Sequence, residues 1–198
     1  FKIDEDHVAF VIADVSGKGV PAALFMVTAK TLIKTKAKHS ISPARVLRDV
    51  NDEISENNEE DMFVTVFLGV LELSTGRFVC ANAGHNPPVH LHSDGRVEYL
   101  NVEKNFVLAG ITGMEFMENT FMLEPGDRFL MYTDGVTEAM NEQQEFFGEE
   151  QLLMRMKTEE ARSLPVCKLL EYLGEEVQRF SAGAEQADDI TMLIFQYQ

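Results

Sequence analysis

Residues 8–26, VAFVIADVSGKGVPAALFM, contain the junction that decides the fold of this chain. The β-branched apolar run that ends at Asp14 predicts a short buried strand. A glycine-bearing turn follows at residues 16–19, and Pro21 with the apolar residues after it predicts the start of a helix. A carboxylate at the end of a buried strand can hold negative charge at a cleft. On spacing alone, a solvated aspartate in a turn before a helix fits equally well.

Two later stretches repeat this arrangement of an apolar run with an acidic end. FLMYTDGVTEAMN at residues 129–141 places Asp134 directly after a strand pattern, and QADDITMLIFQY at residues 186–197 places Asp188 and Asp189 directly before one. If the third strand runs antiparallel to the others in one sheet, the acidic points meet at one edge. Carboxylates so close together repel unless a proton or cation lies between them. Oxygen donors without a nearby His or Cys cluster favour Mg²⁺ or Mn²⁺, although solvated acids leading into a strand are the alternative for the Asp pair.

Five ordered segments carry a resemblance to a known family. They are DVSGKGVPAALFM (14–26), FVTVFLGVLELSTG (63–76), ANAGHNPP (81–88), YTDGVTEAMN (132–141) and ADDITML (187–193). Together they resemble the metal-dependent PP2C-type (PPM) serine/threonine phosphatases, most closely the bacterial SpoIIE-like branch that regulates sporulation and sigma factors. The resemblance implies a single domain over residues 1–198. It also implies an α/β fold, the α-β-β-α sandwich, in which two mainly antiparallel sheets are covered by helices. The strand pattern alone predicts only a mixed α/β domain rich in antiparallel hairpins.

The resemblance also implies the site residues. Asp14 would bridge two Mn²⁺ or Mg²⁺ ions, the backbone carbonyl of Val15 would complete one coordination shell, and Asp134 and Asp188 would bind on the other side. Residues expected around these ligands are Ser16, Lys18, His85, Gly135 and Asp189. A metal-activated water would then attack the phosphorus atom without a covalent enzyme intermediate. His85 is open between a structural role in its turn and a role at the metal site.

Three departures from the family pattern bear on activity. A strand carrying a further metal-ligating Asp is expected upstream of Phe1, so we expect the chain to lack its N-terminal strand, and a weak or inactive site is one possible consequence. Ser16 stands where eukaryotic relatives have a His, and a serine cannot act as the general acid at neutral pH. The phosphate-binding Arg of those relatives would also lie upstream of Phe1. Lys18 can take over its role, or Lys18 is simply a solvated residue of the turn.

Composition excludes several classes of function. The chain has 198 residues, 45% of them hydrophobic, which is enough for a sizeable core. Its net charge of −16 argues against nucleic acid or an anionic membrane as the partner. Cys80 and Cys167 are predicted to be reduced core residues of a soluble cytoplasmic protein, and no apolar run is long enough to insert into a membrane. The Gly-Lys-Gly at residues 17–19 lacks the spacing of a nucleotide-binding P-loop.

Local patterns predict the remaining elements. Helices are expected at residues 20–36, from Ser42-Pro43 to about residue 54, at 148–156, and at 164–180 with Ser163 as its cap. The first of these is apolar nearly all round, so we expect it to be buried against a sheet. Hairpins are expected over residues 62–84 and 87–100, a solvated acidic loop at 53–61, and an irregular segment at 105–120 that the resemblance makes a mobile flap.

The function predicted from these observations is a Mn²⁺/Mg²⁺-dependent protein phosphatase acting on phosphoserine or phosphothreonine. The resemblance suggests a phosphorylated anti-anti-sigma protein of the STAS type as substrate, an upstream sensor domain in the full-length protein, and a homodimer as one possible assembly. The alternative is a non-catalytic regulatory module that keeps the fold and binds a partner.

Overall fold

The computed structural model describes residues 1–56, 58, 61–184, 186 and 188–198. These residues group into two units. Unit 1 consists of Phe1–His85 and Asn101–Leu123, and unit 2 consists of Asn86–Leu100 and Glu124–Gln198. Of the predicted acidic loop at 53–61, positions 57, 59 and 60 lie outside the described residues, and residues 53–55 belong to a helix instead.

The strands and helices of the described residues follow in chain order. The strands are β1 His7–Val15, β2 Val64–Glu72, β3 Arg77–Ala83, β4 Val89–Leu91, β5 Val97–Tyr99, β6 Lys104–Asn105, β7 Asn119–Met122, β8 Arg128–Tyr132 and β9 Met192–Gln196. The helices are α1 Gly19–Ala37, α2 Pro43–Ser55, α3 Asp134–Thr137, α4 Gly148–Met156, α5 Glu159–Ser163 and α6 Val166–Phe180. Both predicted hairpins are confirmed, as β2–β3 and β4–β5.

Unit 1 contains a five-stranded sheet in which β1 pairs antiparallel with β2, and β2 with β3. Strand β3 also pairs antiparallel with β7 and parallel with the short strand β6. Strand β2 is buried along nearly its whole length, as its apolar sequence VTVFLGVLE suggests. Helix α2 packs its predicted apolar face into this core through Val46, Leu47, Val50 and Ile54. The predicted start at Ser42-Pro43 is confirmed, and Ser42 caps the helix: its hydroxyl accepts a hydrogen bond from the backbone N–H of Arg45 at 3.3 Å.

The predicted burial of α1 against a sheet is confirmed for one side of the helix only. Val20, Leu24 and Val27 expose 71%, 63% and 60% of their surface. The buried side of the helix is a narrower stripe made of Ala22, Ala29, Ile33 and Ala37. A helix presents only one side to the core, so the stripe of alanines with Ile33 is buried while apolar residues on the opposite side remain exposed.

The irregular segment 105–120 is anchored to the sheet of unit 1. The backbone groups of Leu108 and Val64 exchange two hydrogen bonds, at 2.9 and 3.1 Å, and the Leu108 side chain is fully buried. Phe116 is also buried in the same core. The mobility of this segment stays a prediction.

Unit 2 contains a four-stranded sheet in the order β5-β4-β8-β9. Its core forms between this sheet and helices α4 and α6, with Leu130, Leu152 and Leu169 fully buried. The predicted start of the last helix is wrong by two residues. Ser163 ends the short helix α5, whose length of five residues is too small to leave a periodic signal, and its hydroxyl donates to the Glu160 carbonyl at 2.8 Å.

Two further predictions are corrected by the structure. The three acidic ends do not share one sheet, because β1 belongs to the sheet of unit 1 and β8 and β9 pair in unit 2. Cys80 is buried as expected, but Cys167 is exposed on α6. Among the described residues, no helix has both the length and the apolar character to cross a bilayer.

Candidate functional site

Asp134 and Asp188 lie next to each other in unit 2. Asp134 is separated from the end of β8 by Thr133 alone and begins α3, and Asp188 lies on the segment that leads into β9. Because β8 and β9 are antiparallel, the end of one strand and the start of the other meet at the same edge. A carboxylate oxygen of Asp134 and one of Asp188 lie within 4.8 Å of each other. The structure therefore brings these two predicted ligands together.

Thr133 holds the segment before β9 against the end of β8. Its hydroxyl donates to the Asp189 carbonyl at 3.2 Å and accepts a hydrogen bond from the Thr191 N–H at 3.1 Å. Its own backbone N–H donates to the Thr191 carbonyl at 3.0 Å. Since Thr133 is only 5% exposed, these bonds are sheltered from water and fix the approach of the two acidic residues. We did not predict this role; the available signal was a hydroxyl residue directly before an Asp at the end of a buried strand.

Gly135 is required at its position because the backbone of the Asp188–Asp189 segment lies against it. A Cβ atom there would lie 2.3 Å from the Asp189 carbonyl oxygen and 3.4 Å from that of Asp188. The segment is shaped further by local bonds: the Asp189 N–H donates to Asp188 Oδ1 at 2.7 Å, and Gln186 Nε2 donates to the Asp188 carbonyl at 2.8 Å. The predicted supporting roles of Gly135 and Asp189 thus correspond to backbone contacts.

Asp14 lies at the end of β1 in unit 1, where the register places it opposite Thr65. The backbone N–H of Val15 donates to Asp14 Oδ1 at 3.0 Å, which orients the carboxylate. The Thr65 hydroxyl lies 3.4 Å from the Asp14 carbonyl oxygen and 2.8 Å from Nδ1 of His85. Within unit 1, the structure therefore links the predicted residues Asp14 and His85 through one threonine.

His85 occupies a tight, buried turn. It is 4% exposed, its backbone N–H donates to Asn82 Oδ1 at 2.8 Å, and Asn82 Nδ2 donates to the His85 carbonyl at 2.9 Å. These contacts agree with a structural role for His85. Its ring contacts Thr65, the residue opposite Asp14 in the β1–β2 register.

Ser16 and Lys18 flank the glycine turn between β1 and α1. The Ser16 hydroxyl accepts a hydrogen bond from the Phe63 N–H at 2.8 Å, and the Ser16 N–H donates to the Phe63 carbonyl at 2.9 Å. Lys18 is exposed and immediately precedes α1. Gly17 and Gly19 have φ angles of +91° and +82°, which side-chain-bearing residues rarely adopt, so the glycines of this turn are required by its backbone.

The chemistry of the acidic pair fits a hard divalent cation. Asp134 is half-buried and Asp188 is exposed, and both offer carboxylate oxygens, the donor type that Mg²⁺ and Mn²⁺ prefer. Two negative charges this close repel each other, and a cation between them would remove that cost. The residues present are therefore compatible with the metal that the resemblance implies.

Comparisons with known proteins identify the family. Residues 4–198 match the family described as Stage II sporulation protein E (SpoIIE). The chain belongs to the SpoIIE family. It is 32% identical over 142 residues to the phosphoserine phosphatase RsbU of Bacillus subtilis (strain 168), an overlap of 72% of this chain and 42% of RsbU. The chain spans 34%, 42% and 34% of the lengths of three curated relatives that it matches.

Solved structures establish the fold of this SpoIIE-family chain. The SiaA-PP2C domain of Pseudomonas aeruginosa superposes with a TM-score of 0.84 at 20% identity, covering 98% of this chain and 77% of that one. The catalytic domain of the serine/threonine protein phosphatase PstP, solved with two manganese ions, has a TM-score of 0.66 at 15% identity, covering 98% and 92%. The predicted PP2C-like α/β fold, with mainly antiparallel sheets, is confirmed.

Proposed function

We propose that this chain is the phosphatase domain of a metal-dependent enzyme that hydrolyses phosphoserine or phosphothreonine in proteins. The observation that carries the proposal is the pair formed by Asp134 and Asp188, which the Thr133 hydroxyl and the bare Gly135 backbone hold within 4.8 Å. Membership of the SpoIIE family supports it, as does the likeness to RsbU, which is named a phosphoserine phosphatase.

We propose that residues 1–198 form a single phosphatase domain and that Asp14, the Val15 carbonyl, Asp134 and Asp188 are ligands of two Mn²⁺ or Mg²⁺ ions. PstP, which has the same fold, was crystallised with two manganese ions. Such ions, when bound, supply an activated water and neutralise charge on the phosphoryl oxygens. Asp134 and Asp188 would bind and orient the ions, and the hydrogen bond from the Thr133 hydroxyl to the Asp189 carbonyl holds the segment that carries Asp188 in place.

Other residues of the chain either support the proposed site or are excluded from the reaction. Lys18, exposed beside the glycine turn, supplies a cation for the phosphate group. Thr65 and His85 support the backbone at Asp14 through their hydrogen bond. Cys80 is excluded as a nucleophile because it is fully buried, and burial raises its pKa to about 12, so the reactive thiolate does not form at neutral pH. Hydrolysis by direct attack of water agrees with this.

The substrate that we propose is a phosphorylated STAS-type regulator, on the strength of the family resemblance alone. An upstream sensor domain, a homodimeric assembly and a cytoplasmic location belong to the same proposal. Phosphoproteomic comparison of a lysate before and after addition of the chain tests it, since the substrate is the phosphoprotein whose signal disappears. Loss of phosphate from proteins without a STAS domain would show that the substrate class is wrong.

Asp134→Asn is the variant that tests the site. It removes one negative charge and keeps the shape, so we expect manganese-stimulated phosphate release from a phosphoserine peptide to fall by at least about a hundredfold, with an unchanged circular dichroism spectrum. Asp189→Asn is the matched control, because the contact that Asp189 makes with Thr133 uses its backbone carbonyl. Near-normal turnover in Asp134→Asn would count against the site, and no manganese-stimulated release from the unmodified chain would favour the non-catalytic regulatory module.

A further inference from the structure

A second group of metal-ligating side chains lies in unit 2 and plays no part in the proposed phosphatase chemistry. His90 lies on β4, His92 follows β4 directly, and Asp127 directly precedes β8. One ligand atom from each of these three residues lies within 4.8 Å of the others. His90 and His92 are two positions apart, so they project from the same face of the strand. The sequence VHLH at residues 89–92 carries this signal.

Two of the separations between donor atoms are close to those around a tetrahedral ion. Nε2 of His90 lies 3.1 Å from Oδ2 of Asp127, and Nε2 of His92 lies 3.0 Å from Oε1 of Glu98. Glu98 is directly opposite His90 in the β4–β5 register, which places it on the same face of the sheet. In a tetrahedral site with bonds of 2.0–2.2 Å, neighbouring donors are about 3.3 Å apart. The ligand atoms of His90, His92 and Asp127 lie within 4.8 Å of one another, and the two imidazole rings are 3.6 Å apart between centroids, so the side chains must rotate for all donors to reach one ion.

The surroundings hold the most buried members of the group in place. Asp127 is 2% exposed, and its carboxylate accepts hydrogen bonds from the backbone N–H groups of Ser93 at 2.7 Å and Glu124 at 3.0 Å. The ring of His90 stacks on Phe129 with centroids 4.3 Å apart. Such bonds and packing orient a ligand before the ion arrives, which lowers the cost of binding.

The charges at this group also suit a cation. Asp127 and Glu98 face the two rings and contribute negative charge. His92 and Glu98 are partly open to solvent, with 18% and 60% of their side chains exposed, so an ion has a path of entry.

We propose that His90, His92 and Asp127, with Glu98 as a fourth donor, form a binding site for Zn²⁺ or a similar borderline divalent ion. Mixed imidazole and carboxylate donors suit Zn²⁺ better than Mg²⁺, so this site and the Asp134–Asp188 pair differ in the ion they prefer. A bound ion would tie the β4–β5 hairpin to the turn before β8. The competing explanation is that the imidazole–carboxylate contacts are hydrogen bonds that hold this hairpin without any ion.

Calorimetric titration of the metal-stripped full chain with Zn²⁺ tests the proposal. The Asp134→Asn background is used so that zinc at the acidic pair does not obscure the result. We expect one zinc ion per chain, with affinity reduced at least tenfold by His92→Gln and also reduced by Glu98→Gln. His39→Gln, at an exposed histidine just beyond α1, is the matched control and should bind zinc unchanged.

Thermal unfolding provides a second measurement on the same proteins. Excess Zn²⁺ should raise the melting temperature in the Asp134→Asn background, because an ion that binds only the folded chain stabilises it. The rise should become smaller when His92→Gln is added, because weaker binding stabilises the folded chain less at the same zinc concentration. No zinc binding in the Asp134→Asn background, or unchanged affinity in both His92→Gln and Glu98→Gln, would overturn the proposal and leave the hydrogen-bonding role. If His92→Gln fails to fold, the exposed Glu98→Gln decides the question.

Discussion

Replacing Gly135 by alanine tests whether the backbone contact beside Asp134 sets the geometry of the acidic pair. The new Cβ would lie 2.3 Å from the Asp189 carbonyl oxygen, whereas ordinary contacts begin at 3.4 Å. The Asp189 carbonyl, or Gly135 itself, must therefore move by 3.4 − 2.3 = 1.1 Å. Overpacking of this kind costs about 1–3 kcal/mol of folding free energy. A misplacement of about 1 Å in a catalytic group can reduce turnover by about a hundredfold.

The assay compares manganese-stimulated release of phosphate with stability in the same variant. We expect phosphate release to fall by roughly tenfold to a hundredfold and the melting temperature to fall by several degrees. Gly174→Ala is the matched control, since Gly174 lies inside α6 and its added Cβ would meet only the Met192 Cε, at 3.9 Å. That substitution should stabilise the chain by up to about 1 kcal/mol through helix propensity, with activity unchanged.

One result would refute this reasoning. If Gly135→Ala unfolds at the temperature of the unmodified chain and keeps its turnover and its manganese dependence, the Asp188–Asp189 segment does not position the acidic pair. If stability falls and turnover does not, Gly135 serves packing alone.

Three further predictions address the hydrogen bonds of Thr133, the cap of α2 and the buried His90. Thr133→Val should weaken manganese binding, measured by calorimetry, because the Asp189 carbonyl loses its hydroxyl donor, and Thr133→Ser should restore it. Ser42→Ala should lower the free energy of unfolding in urea by about 1 kcal/mol, since the Arg45 N–H at the start of α2 loses its cap. Burial and the neighbouring His92 imidazole lower the pKa of His90 in the folded chain. As the pH falls, the His90 side chain is therefore protonated more readily in the unfolded chain than in the folded one. The free energy of unfolding should accordingly decrease below about pH 6.5. His90→Gln should make this decrease shallower in urea titrations between about pH 7.5 and 5.5; an unchanged slope would show that His90 does not contribute to it.

The acidic ends of the strands illustrate what local sequence can predict. Asp14 and Asp134 each follow an apolar run whose composition favours a strand, and the residues after them favour a turn or helix start. Both elements appear in the structure at those positions. The assumption that all three strands share one sheet was wrong. Strand pairing depends on surfaces that are far apart in sequence, so an apolar run does not indicate which strand it will pair with.

Helix α1 shows the same limit for packing. Its boundaries followed from Pro21 and the apolar run, but that run does not say which side is buried. The fit of the helix against the core decided that Ala22, Ala29, Ile33 and Ala37 are buried, and Leu24 was left exposed.

The amino-acid sequence by itself determined the family, the alternation of strands and helices, and the positions of the acidic residues, because turn chemistry and periodicity act over a few neighbouring residues. Only the tertiary structure decided that Thr133 binds the backbone of Asp189 and that His90 lies against Asp127. These contacts join residues 56 and 37 positions apart, and they form only after strand pairing has aligned their backbones.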